Sequence, residues 1–259
     1  MNRRRVDEMN EVLEVIFEQF FKDRGSELGA LAYMLKLREQ FSSDLISNLL
    51  KSKSQLGQDK FVLSETGFKK NGFFVEFGAT NGVDLSNTCL LEAEFGWSGI
   101  LAEPGLIWHE DLRKNRHCLI DTSCVWKQSG STLSFNETNM PEFSTINAYS
   151  SSDGHAEIRK SGENYDVPTI SLLDLLEKHN APKTIDYLSI DTEGSEFEIL
   201  SNFDFERYQF DVITCEHNYT AVREELFSLL TSKGYVSKFE ELSKFDDWYV
   251  KATPGAGLD

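Results

Sequence analysis

The stretch FFVEFGATNGVDLSNT (residues 73–88) decides the fold class of this chain. It opens with an apolar run typical of a buried strand, which breaks at EFGATNG (76–82) into a turn of small and polar residues. Gly78 and Gly82 let backbone come close to a ligand there, because neither carries a Cβ. A helix after such a turn offers free N–H groups at its start. The stretch therefore predicts the ligand-binding first turn of a parallel α/β sheet.

Downstream of this turn, strand and helix patterns alternate along the chain. Alternation of this kind predicts a Rossmann-like, doubly wound α/β fold with a mostly parallel, seven-stranded sheet. Residues 130–168, with scattered glycine and proline, are expected to form hairpins and an irregular excursion that faces the substrate. The predicted strands are 73–78, 100–103, 118–125, 185–190, 211–215, 235–239 and 248–251, and the predicted helices are 85–95, 107–115, 172–179, 195–200 and 221–231.

The region upstream of the alternating pattern has a different character. Residues 6–50 are rich in Leu, Glu, Lys, Phe and Met at helical spacing and contain no proline. We predict an N-terminal helical extension (1–53) packed on the main α/β domain (54–252), followed by a flexible tail (253–259). The alternative for the extension is a lid or a homodimer interface.

Composition narrows the classes of partner. The 259 residues carry 43 acidic and 26 basic side chains, a net charge of −17, which repels nucleic acid and anionic membrane surfaces. No apolar stretch approaches the roughly 20 residues that cross a bilayer. The four cysteines lack the CxxC spacing of a zinc site, so we predict free thiols in a reducing compartment and a cytoplasmic protein.

The turn at 76–82 also indicates which cofactor it holds. A dinucleotide fingerprint reads GxGxxG, with the pyrophosphate at the helix N-terminus. Here the middle glycine is missing, and Glu76 would repel a pyrophosphate while suiting a cationic ligand. S-adenosylmethionine has a sulfonium, an ammonium and no phosphate, and therefore fits. A nicotinamide-dependent oxidoreductase is the alternative, which this spacing disfavours.

Further polar residues at strand ends extend the predicted cofactor site. Glu103 ends the second strand 21 positions after Gly82, where an acid accepts both ribose hydroxyls of a nucleoside. Asp121 ends the third strand and is expected to bind the adenine amino group, and Asn87 to touch the cofactor carboxylate. The complete predicted cofactor site is Glu76, Gly78, Ala79, Thr80, Asn81, Gly82, Asn87, Glu103, Pro104, Asp121 and Asp191.

Candidates for the chemistry follow the fourth and fifth predicted strands. SIDTEGSE brings Asp191 to one strand end, and Glu216 and His217 stand at the next. Two mechanisms remain open: His217 or an acid acts as a general base, or Asp191 and Glu216 bind Mg²⁺, which would activate an acceptor oxygen. Glu196 is expected only to stabilise the start of the following helix.

Five segments carry a family resemblance: SQLGQDKFV (54–62), FFVEFGATNGVDLSNT (73–88), GWSGILAEPG (96–105), VPTISLLDLL (167–176) and IDYLSIDTEGSEFEIL (185–200). Together they resemble the FkbM-type methyltransferases. The resemblance spans residues 54 to about 252 and implies a Rossmann-like, S-adenosylmethionine-dependent methyltransferase. It also implies transfer to oxygen, often a hydroxyl on a sugar or a natural product. We therefore expect an O-methyltransferase with a small-molecule or glycan acceptor; a non-catalytic scaffold of the same fold is a further alternative.

Overall fold

The computed structural model describes residues 43–252. The helices predicted within residues 1–42, the homodimer interface that they would form and the tail 253–259 lie outside the described residues. The division into three parts therefore stays a prediction. Between residues 43 and 252, no helix is both long and apolar enough to cross a membrane.

Helices and strands alternate through the described chain, as the sequence predicts. The helices are α1 (Ser43–Leu49), α2 (Gln58–Glu65), α3 (Cys89–Phe95), α4 (His109–Asn115), α5 (Ala156–Arg159), α6 (Leu172–Lys178), α7 (Glu196–Ser201), α8 (Val222–Ser232) and α9 (Glu240–Ser243). The strands are β1 (Phe73–Phe77), β2 (Ser98–Ala102), β3 (Leu119–Asp121), β4 (Cys124–Trp126), β5 (Thr132–Glu137), β6 (Thr145–Ile146), β7 (Glu163–Ser171), β8 (Thr184–Ile190), β9 (Gln209–Glu216), β10 (Tyr235–Lys238) and β11 (Asp246–Lys251).

A seven-stranded sheet forms the centre of the molecule, with the order β10-β11-β9-β8-β1-β2-β3. The pairs β1–β2, β1–β8, β2–β3 and β8–β9 are parallel, and only β11 runs against its neighbours β9 and β10. The predicted doubly wound, mostly parallel sheet is confirmed. Strand order reverses between β1 and β8, so the ligand crevice is expected outside their carboxyl ends.

Both faces of this sheet are buried, which explains the continuous apolar run at its centre. Val75 and Phe77 belong to one apolar core, while Phe74, on the opposite face of the same strand, belongs to a second. Alternating side chains of a strand point to opposite faces, so a strand covered on both sides needs apolar residues throughout. Each such buried side chain stabilises the fold by roughly 1.5–3 kcal/mol.

The helix predicted at 85–95 begins only at Cys89, so its predicted first turn is wrong. The Glu76 carboxylate accepts hydrogen bonds from the backbone N–H of Asn87 (2.7 Å) and the hydroxyl of Thr88 (2.5 Å). These bonds hold the residues before α3 in a loop, and Leu85 takes a left-handed conformation (φ 63°) there. A side chain from β1 therefore overrides local helix preference.

The single strand predicted at 118–125 is also wrong, because the chain changes sheet within it. β3 ends at Asp121, whose carboxylate accepts from the backbone N–H of Ser123 (3.0 Å) in a tight turn. β4 then pairs in parallel with β7 rather than with the central sheet. Aspartate favours such turns because its side chain mimics a backbone carbonyl.

Residues 130–168 contain more regular structure than the sequence predicts. A second, four-stranded sheet has the order β4-β7-β5-β6, with β5 antiparallel to β7 from Thr132↔Pro168 to Glu137↔Glu163. The partner strands are separated by residues 138–162, and Pro168 lies inside a strand, where proline is uncommon. The sequence pattern therefore indicated hairpins and an irregular excursion rather than a second sheet.

Candidate active site

The turns after β1 and β8 lie against each other at the carboxyl edge of the central sheet. Gly78 has φ 71°, and a Cβ added there would lie 2.0 Å from the backbone oxygen of Asp191. Gly82 has φ 80°, and a Cβ there would meet the side chains of Arg116 and Leu112. Both glycines of the turn are therefore required by the close approach of neighbouring segments.

Glu103 is held at the end of β2 by backbone donors. Its two carboxylate oxygens accept from the N–H groups of Thr80 (2.9 Å) and Gly105 (2.7 Å). The side chain is only 4% exposed, and burial raises its pKa to about 7. Each carboxylate oxygen has a second lone pair, so this fixed group can still accept hydrogen bonds from a ligand such as a ribose.

Glu76 holds the loop before α3 through several hydrogen bonds. Its carboxylate accepts from Ser86, Asn87 and Thr88 and lies 3.8 Å from the Arg116 guanidinium. Burial raises the pKa of Glu76, and Arg116 opposes that shift. A carboxylate with these partners shapes the loop before α3. Glu76 also lines the cavity described below, and its contact with a cationic ligand stays a prediction.

Asn87 presents an unused acceptor. Its amide nitrogen donates to the Ser189 hydroxyl (3.0 Å), while its Oδ1 is buried without a hydrogen-bond partner. The side chain is 7% exposed and lines the cavity described below. A buried acceptor without a partner costs free energy, so the geometry favours a ligand that donates a hydrogen bond, such as an ammonium, over the predicted carboxylate.

Three acids meet beyond the ends of β8 and β9. One carboxylate oxygen from each of Asp191, Glu193 and Glu216 lies within 4.8 Å of the other two. Burial raises the pKa of all three carboxyl groups, and the charge of Asp191 raises those of Glu193 and Glu216 further. Like charges this close cannot all ionise without a cation. The cluster can therefore accept a proton or bind a positive group.

A buried arginine from the segment that the sequence assigns to acceptor recognition fixes one member of this cluster. Arg159 donates to the carboxylates of Asp153 and Glu193 (both 2.7 Å) and to the backbone oxygen of Phe143 (2.8 Å). Its side chain is fully buried. Asn218 also donates to Glu193 (3.2 Å). The arrangement ties the segment between β6 and β7 to the loop after β8.

Glu196 stabilises that loop through residues that precede α7, and its predicted effect on the start of the helix stays a prediction. One of its carboxylate oxygens accepts from the backbone N–H groups of Thr192 (2.9 Å) and Gly194 (3.1 Å). Thr145, on β6, donates its hydroxyl to the backbone oxygens of Thr192 (3.2 Å) and Glu193 (3.0 Å). The loop that carries Asp191 and Glu193 is therefore fixed from two sides.

His217, the predicted base, is not placed for that role. Its Nδ1 accepts from the backbone N–H of Tyr219 (3.0 Å), and its Nε2 lies 3.7 Å from Asp247 on β11. Because Nδ1 accepts, the neutral ring carries its proton on Nε2. Burial lowers the pKa of His217, and the residue is not part of the cavity lining. We therefore correct its assignment as general base.

Other predicted cofactor residues also lie outside the cavity lining. The Asp121 carboxylate accepts from Lys178 (2.7 Å) and lies 2.9 Å from the ring nitrogen of His179, which corrects its expected contact with adenine. Ala79 is in the apolar core, and the Asn81 side chain accepts from two backbone N–H groups of its own turn. Ala79, Asn81 and Gly82 therefore form the part of the turn that does not line the cavity.

The remaining candidates line one cavity of about 370 Å³. Its volume lies in the range of small-molecule sites. Strands of the second sheet and the segments between β5 and β7 supply an apolar wall. The sequence located this wall only as part of a substrate-facing excursion. The predicted residues that line the cavity are Glu76, Gly78, Thr80, Asn87, Glu103, Pro104, Asp191 and Glu216. Glu193 of SIDTEGSE and His155 of the predicted substrate-facing segment line it as well. Those added by the structure include Val125, Phe135, Pro141, Phe143 and Ile146.

The family follows from comparison with known sequences. The profile described as "Methyltransferase FkbM domain" matches residues 76–244. The chain belongs to the FkbM methyltransferase family. This confirms the resemblance carried by the strand-end motifs, and it makes the chain a member of an S-adenosylmethionine-dependent methyltransferase family. A search of curated protein sequences finds no match.

Solved structures with similar folds include other methyltransferases. A methyltransferase FkbM from Methylobacillus flagellatus KT is 8% identical, with 80% of this chain and 58% of that chain covered and a TM-score of 0.44. A precorrin-6y C5,15-methyltransferase from Geobacter metallireducens GS-15 is 12% identical, with coverages of 75% and 87% and a TM-score of 0.41. An O-methyltransferase from Bacillus cereus, in complex with SAH, is 13% identical, with coverages of 92% and 97% and a TM-score of 0.40.

Proposed function

We propose that this FkbM-family protein transfers the methyl group of S-adenosylmethionine to a hydroxyl of a sugar, a glycan or a small natural product. One observation carries the proposal. The fixed carboxylate of Glu103 and the acid cluster of Asp191, Glu193 and Glu216 line the same cavity. Glu103 can therefore bind the nucleoside of S-adenosylmethionine while the acid cluster takes the proton of the hydroxyl in the same cavity.

The cofactor would lie across the turn after β1. Glu103 would accept the two ribose hydroxyls, since its position is fixed by the N–H groups of Thr80 and Gly105. The free Oδ1 of Asn87 would accept from the cofactor ammonium. The close approach at Gly78 leaves no room for a larger side chain between the cofactor turn and Asp191. Positioning of this kind supplies much of the rate acceleration in a transfer between two bound substrates.

The acceptor hydroxyl would lie against the acid cluster. Its oxygen attacks the methyl carbon as the carbon–sulfur bond breaks, which yields S-adenosylhomocysteine and a methyl ether. The hydroxyl proton passes to the carboxylate of Asp191 or Glu216. The pKa of both carboxyl groups is raised by burial, which improves a carboxylate as a base at neutral pH. Glu193, paired with Arg159, would keep the loop in place.

The same cluster also fits a divalent cation. Carboxylate oxygens are the ligands that Mg²⁺ prefers, and the three acids bring oxygens within 4.8 Å of one another. Asp191 and Glu216 would hold the ion, because Glu193 is already engaged by Arg159 and Asn218. A bound Mg²⁺ supplies Lewis-acid activation of a hydroxyl.

Methyl transfer from labelled S-adenosylmethionine tests the proposal. The purified protein is incubated with a small-molecule extract of the cells that make it, with Glu216→Gln as the inactive variant and the exposed Glu157→Gln as the matched control. We expect labelled product that resists mild alkali, as an ether does, from wild type and Glu157→Gln only. Label released as methanol would indicate a carboxyl acceptor. Loss of transfer in EDTA, restored by Mg²⁺, would favour the metal mechanism.

Two rival functions predict different results in that assay. A nicotinamide-dependent oxidoreductase would give no labelled product and would change the absorbance of NADH. A scaffold that has lost its chemistry would give neither signal. Equal labelling by wild type and Glu216→Gln would contradict the assignment of the acid cluster.

A further inference from the structure

Two aromatic side chains at the cavity, Phe143 and His155, form a stacked pair that the proposed mechanism does not use. Their ring centroids lie 4.2 Å apart, with an angle of 19° between the ring planes. Both residues are only partly buried, and both line the cavity. Aromatic rings offer a large contact area to a ligand. The pair therefore gives one wall of the cavity a flat, apolar surface.

One buried guanidinium fixes both members of the pair. Arg159 donates to the backbone oxygen of Phe143 (2.8 Å) and to the Asp153 carboxylate (2.7 Å). The same Asp153 oxygen accepts from the backbone N–H of His155 (2.7 Å). The segments that carry the two rings are therefore held in place by the protein itself, which lowers the cost of ordering them when a ligand binds.

The same guanidinium places the pair beside the acid cluster. Arg159 uses Nε for Phe143, Nη1 for Asp153 and Nη2 for Glu193, one of the three clustered acids. The anchors of the pair and of the cluster are therefore separated only by the width of one planar group. A molecule that lies against the pair is next to the carboxylates that would take the proton.

A further aromatic surface lies beside Glu103. A Cβ added to Gly105 would lie 2.9 Å from Glu103 Oε1 and 3.0 Å from Cδ1 of Trp108, so the indole is close to the carboxylate assigned to the ribose. Trp108 also lines the cavity. S-adenosylmethionine has a single aromatic group, its adenine, which is attached to the ribose and would lie near Trp108. The pair formed by Phe143 and His155 is therefore left for the second substrate.

We propose that Phe143 and His155 form the acceptor subsite and that this subsite takes a ring, so that the methylated hydroxyl is carried by a sugar ring or an aromatic ring. The proposal rests on the proposed function and narrows its substrate class. A flat surface makes the most dispersion contacts with a flat partner. A sugar offers the C–H groups of one ring face, and an aromatic compound offers its π face. An open-chain alcohol would lose most of these contacts.

Replacement of Phe143 tests the subsite. Initial rates of label transfer from S-adenosylmethionine are measured against the amount of the small-molecule extract. Phe143→Leu keeps an apolar side chain but removes the ring, so we expect the half-saturating amount of extract to rise about three- to tenfold. The rate at saturation should change little, because the contact is made before and during transfer alike.

Three further variants accompany this measurement. Phe143→Tyr keeps the ring and should rescue the binding that Phe143→Leu loses. His155→Leu removes the other ring of the pair and should raise the half-saturating amount of extract as Phe143→Leu does. Phe227→Leu, at an exposed position of α8, is the matched control for the loss of a phenylalanine ring and should behave as wild type.

Cofactor binding and product analysis identify which ligand the subsite holds. Titration with S-adenosylhomocysteine should give the same Kd for Phe143→Leu and wild type, because the cofactor lies elsewhere. The labelled product is hydrolysed in acid and its fragments are separated. Label in a monosaccharide would identify a sugar ring, and label in an ultraviolet-absorbing fragment would identify an aromatic ring. Label in an open-chain compound would overturn the proposal.

The outcomes separate the subsite from the proposed function. An unchanged half-saturating amount of extract in both Phe143→Leu and His155→Leu would overturn the subsite and leave the methyltransferase proposal standing. Loss of S-adenosylhomocysteine binding in these two variants would do the same, since the pair would then serve the cofactor. Absence of labelled product from wild type would overturn the proposed function and the subsite with it.

Discussion

Arg159 Nη2 lies 2.7 Å from Glu193 Oε2, and this pair joins the two sheets of the molecule. Arg159 ends α5, in the segment that precedes β7, whereas Glu193 follows β8 of the central sheet. The arginine side chain is fully buried and that of Glu193 is 8% exposed. The loop that carries the acid cluster is therefore fixed by a residue of the segment between β6 and β7.

Replacement of Arg159 tests the importance of this connection. Removal of one partner from a buried ion pair leaves an uncompensated charge, which costs about 3–5 kcal/mol. We expect Arg159→Met to lower the free energy of urea unfolding by that amount, and Arg159→Lys to lower it less. Lys160→Met is the matched control, since Lys160 is 69% exposed, and should have no measurable effect. Equal stability of Arg159→Met and wild type would show that the pair contributes nothing.

Two glycines with similar backbone angles provide a test of the close approach at the site. Gly78 and Gly130 both have positive φ (71° and 77°), but only at Gly78 would a Cβ meet backbone, the Asp191 oxygen at 2.0 Å. Gly130→Ala should cost about 1–2 kcal/mol, from the left-handed conformation alone. Gly78→Ala should cost more in unfolding experiments and should also abolish S-adenosylhomocysteine binding. Equal effects of the two variants would contradict the described apposition.

His217 and Glu216 are adjacent in sequence and should differ in function. Glu216 lines the cavity, whereas the ring of His217 faces Asp247. We expect Glu216→Gln to lower kcat at least 100-fold, as loss of a general base typically does, and His217→Gln to keep kcat within about threefold. The measurement is initial rates of label transfer. The reverse order would restore His217 as the base.

Stability of the ligand-free protein should fall as pH rises from 5 to 8. Burial raises the pKa of Asp246 to about 8 and those of Glu103 and Asp191 to about 7. In this window the native state therefore binds more protons than the unfolded state, so the free energy of unfolding decreases with pH. The lowered pKa of Asp121, about 2, acts only below this window.

Asp246→Asn isolates one of these groups. Gln58 donates to Asp246 (2.8 Å), and an asparagine oxygen can accept the same bond. We expect the difference in unfolding free energy between pH 5 and pH 8 to shrink by on the order of 1 kcal/mol or more, as measured by urea unfolding. An unchanged difference would mean that Asp246 titrates normally in the native state.

The sequence predicted the central sheet because its signals are local. The apolar run of β1 and the strand-end acids Glu103, Asp191 and Glu216 follow from periodicity and motif spacing. For residues 130–168 the sequence predicted hairpins but not a second sheet, because β5 and β7 pair across the 25 residues between them (138–162). Such long-range pairing leaves little trace in a local pattern.

Within the site, the sequence located acids but not their partners. Glu76 and Asp121 stand at strand ends, as predicted, but hydrogen bonds to distant residues hold both carboxylates, and those of Asp121 give it another role. Arg159 lies in a segment without a recognisable motif, and its contact with Glu193 joins residues 34 positions apart. The partner of a buried charge is set by tertiary packing, which a single sequence does not encode locally.

The central claim is that the turn at 76–82 and Glu103 bind S-adenosylmethionine rather than a nicotinamide cofactor. Calorimetric titration of wild type and Glu103→Gln with S-adenosylhomocysteine and NADH tests it most directly. We predict that S-adenosylhomocysteine binds wild type and that NADH binds neither protein. Glu103→Gln should bind S-adenosylhomocysteine at least tenfold more weakly, because a hydrogen bond to a charged group contributes about 1.5–3 kcal/mol. Binding of NADH to wild type, or of neither ligand, would contradict the account.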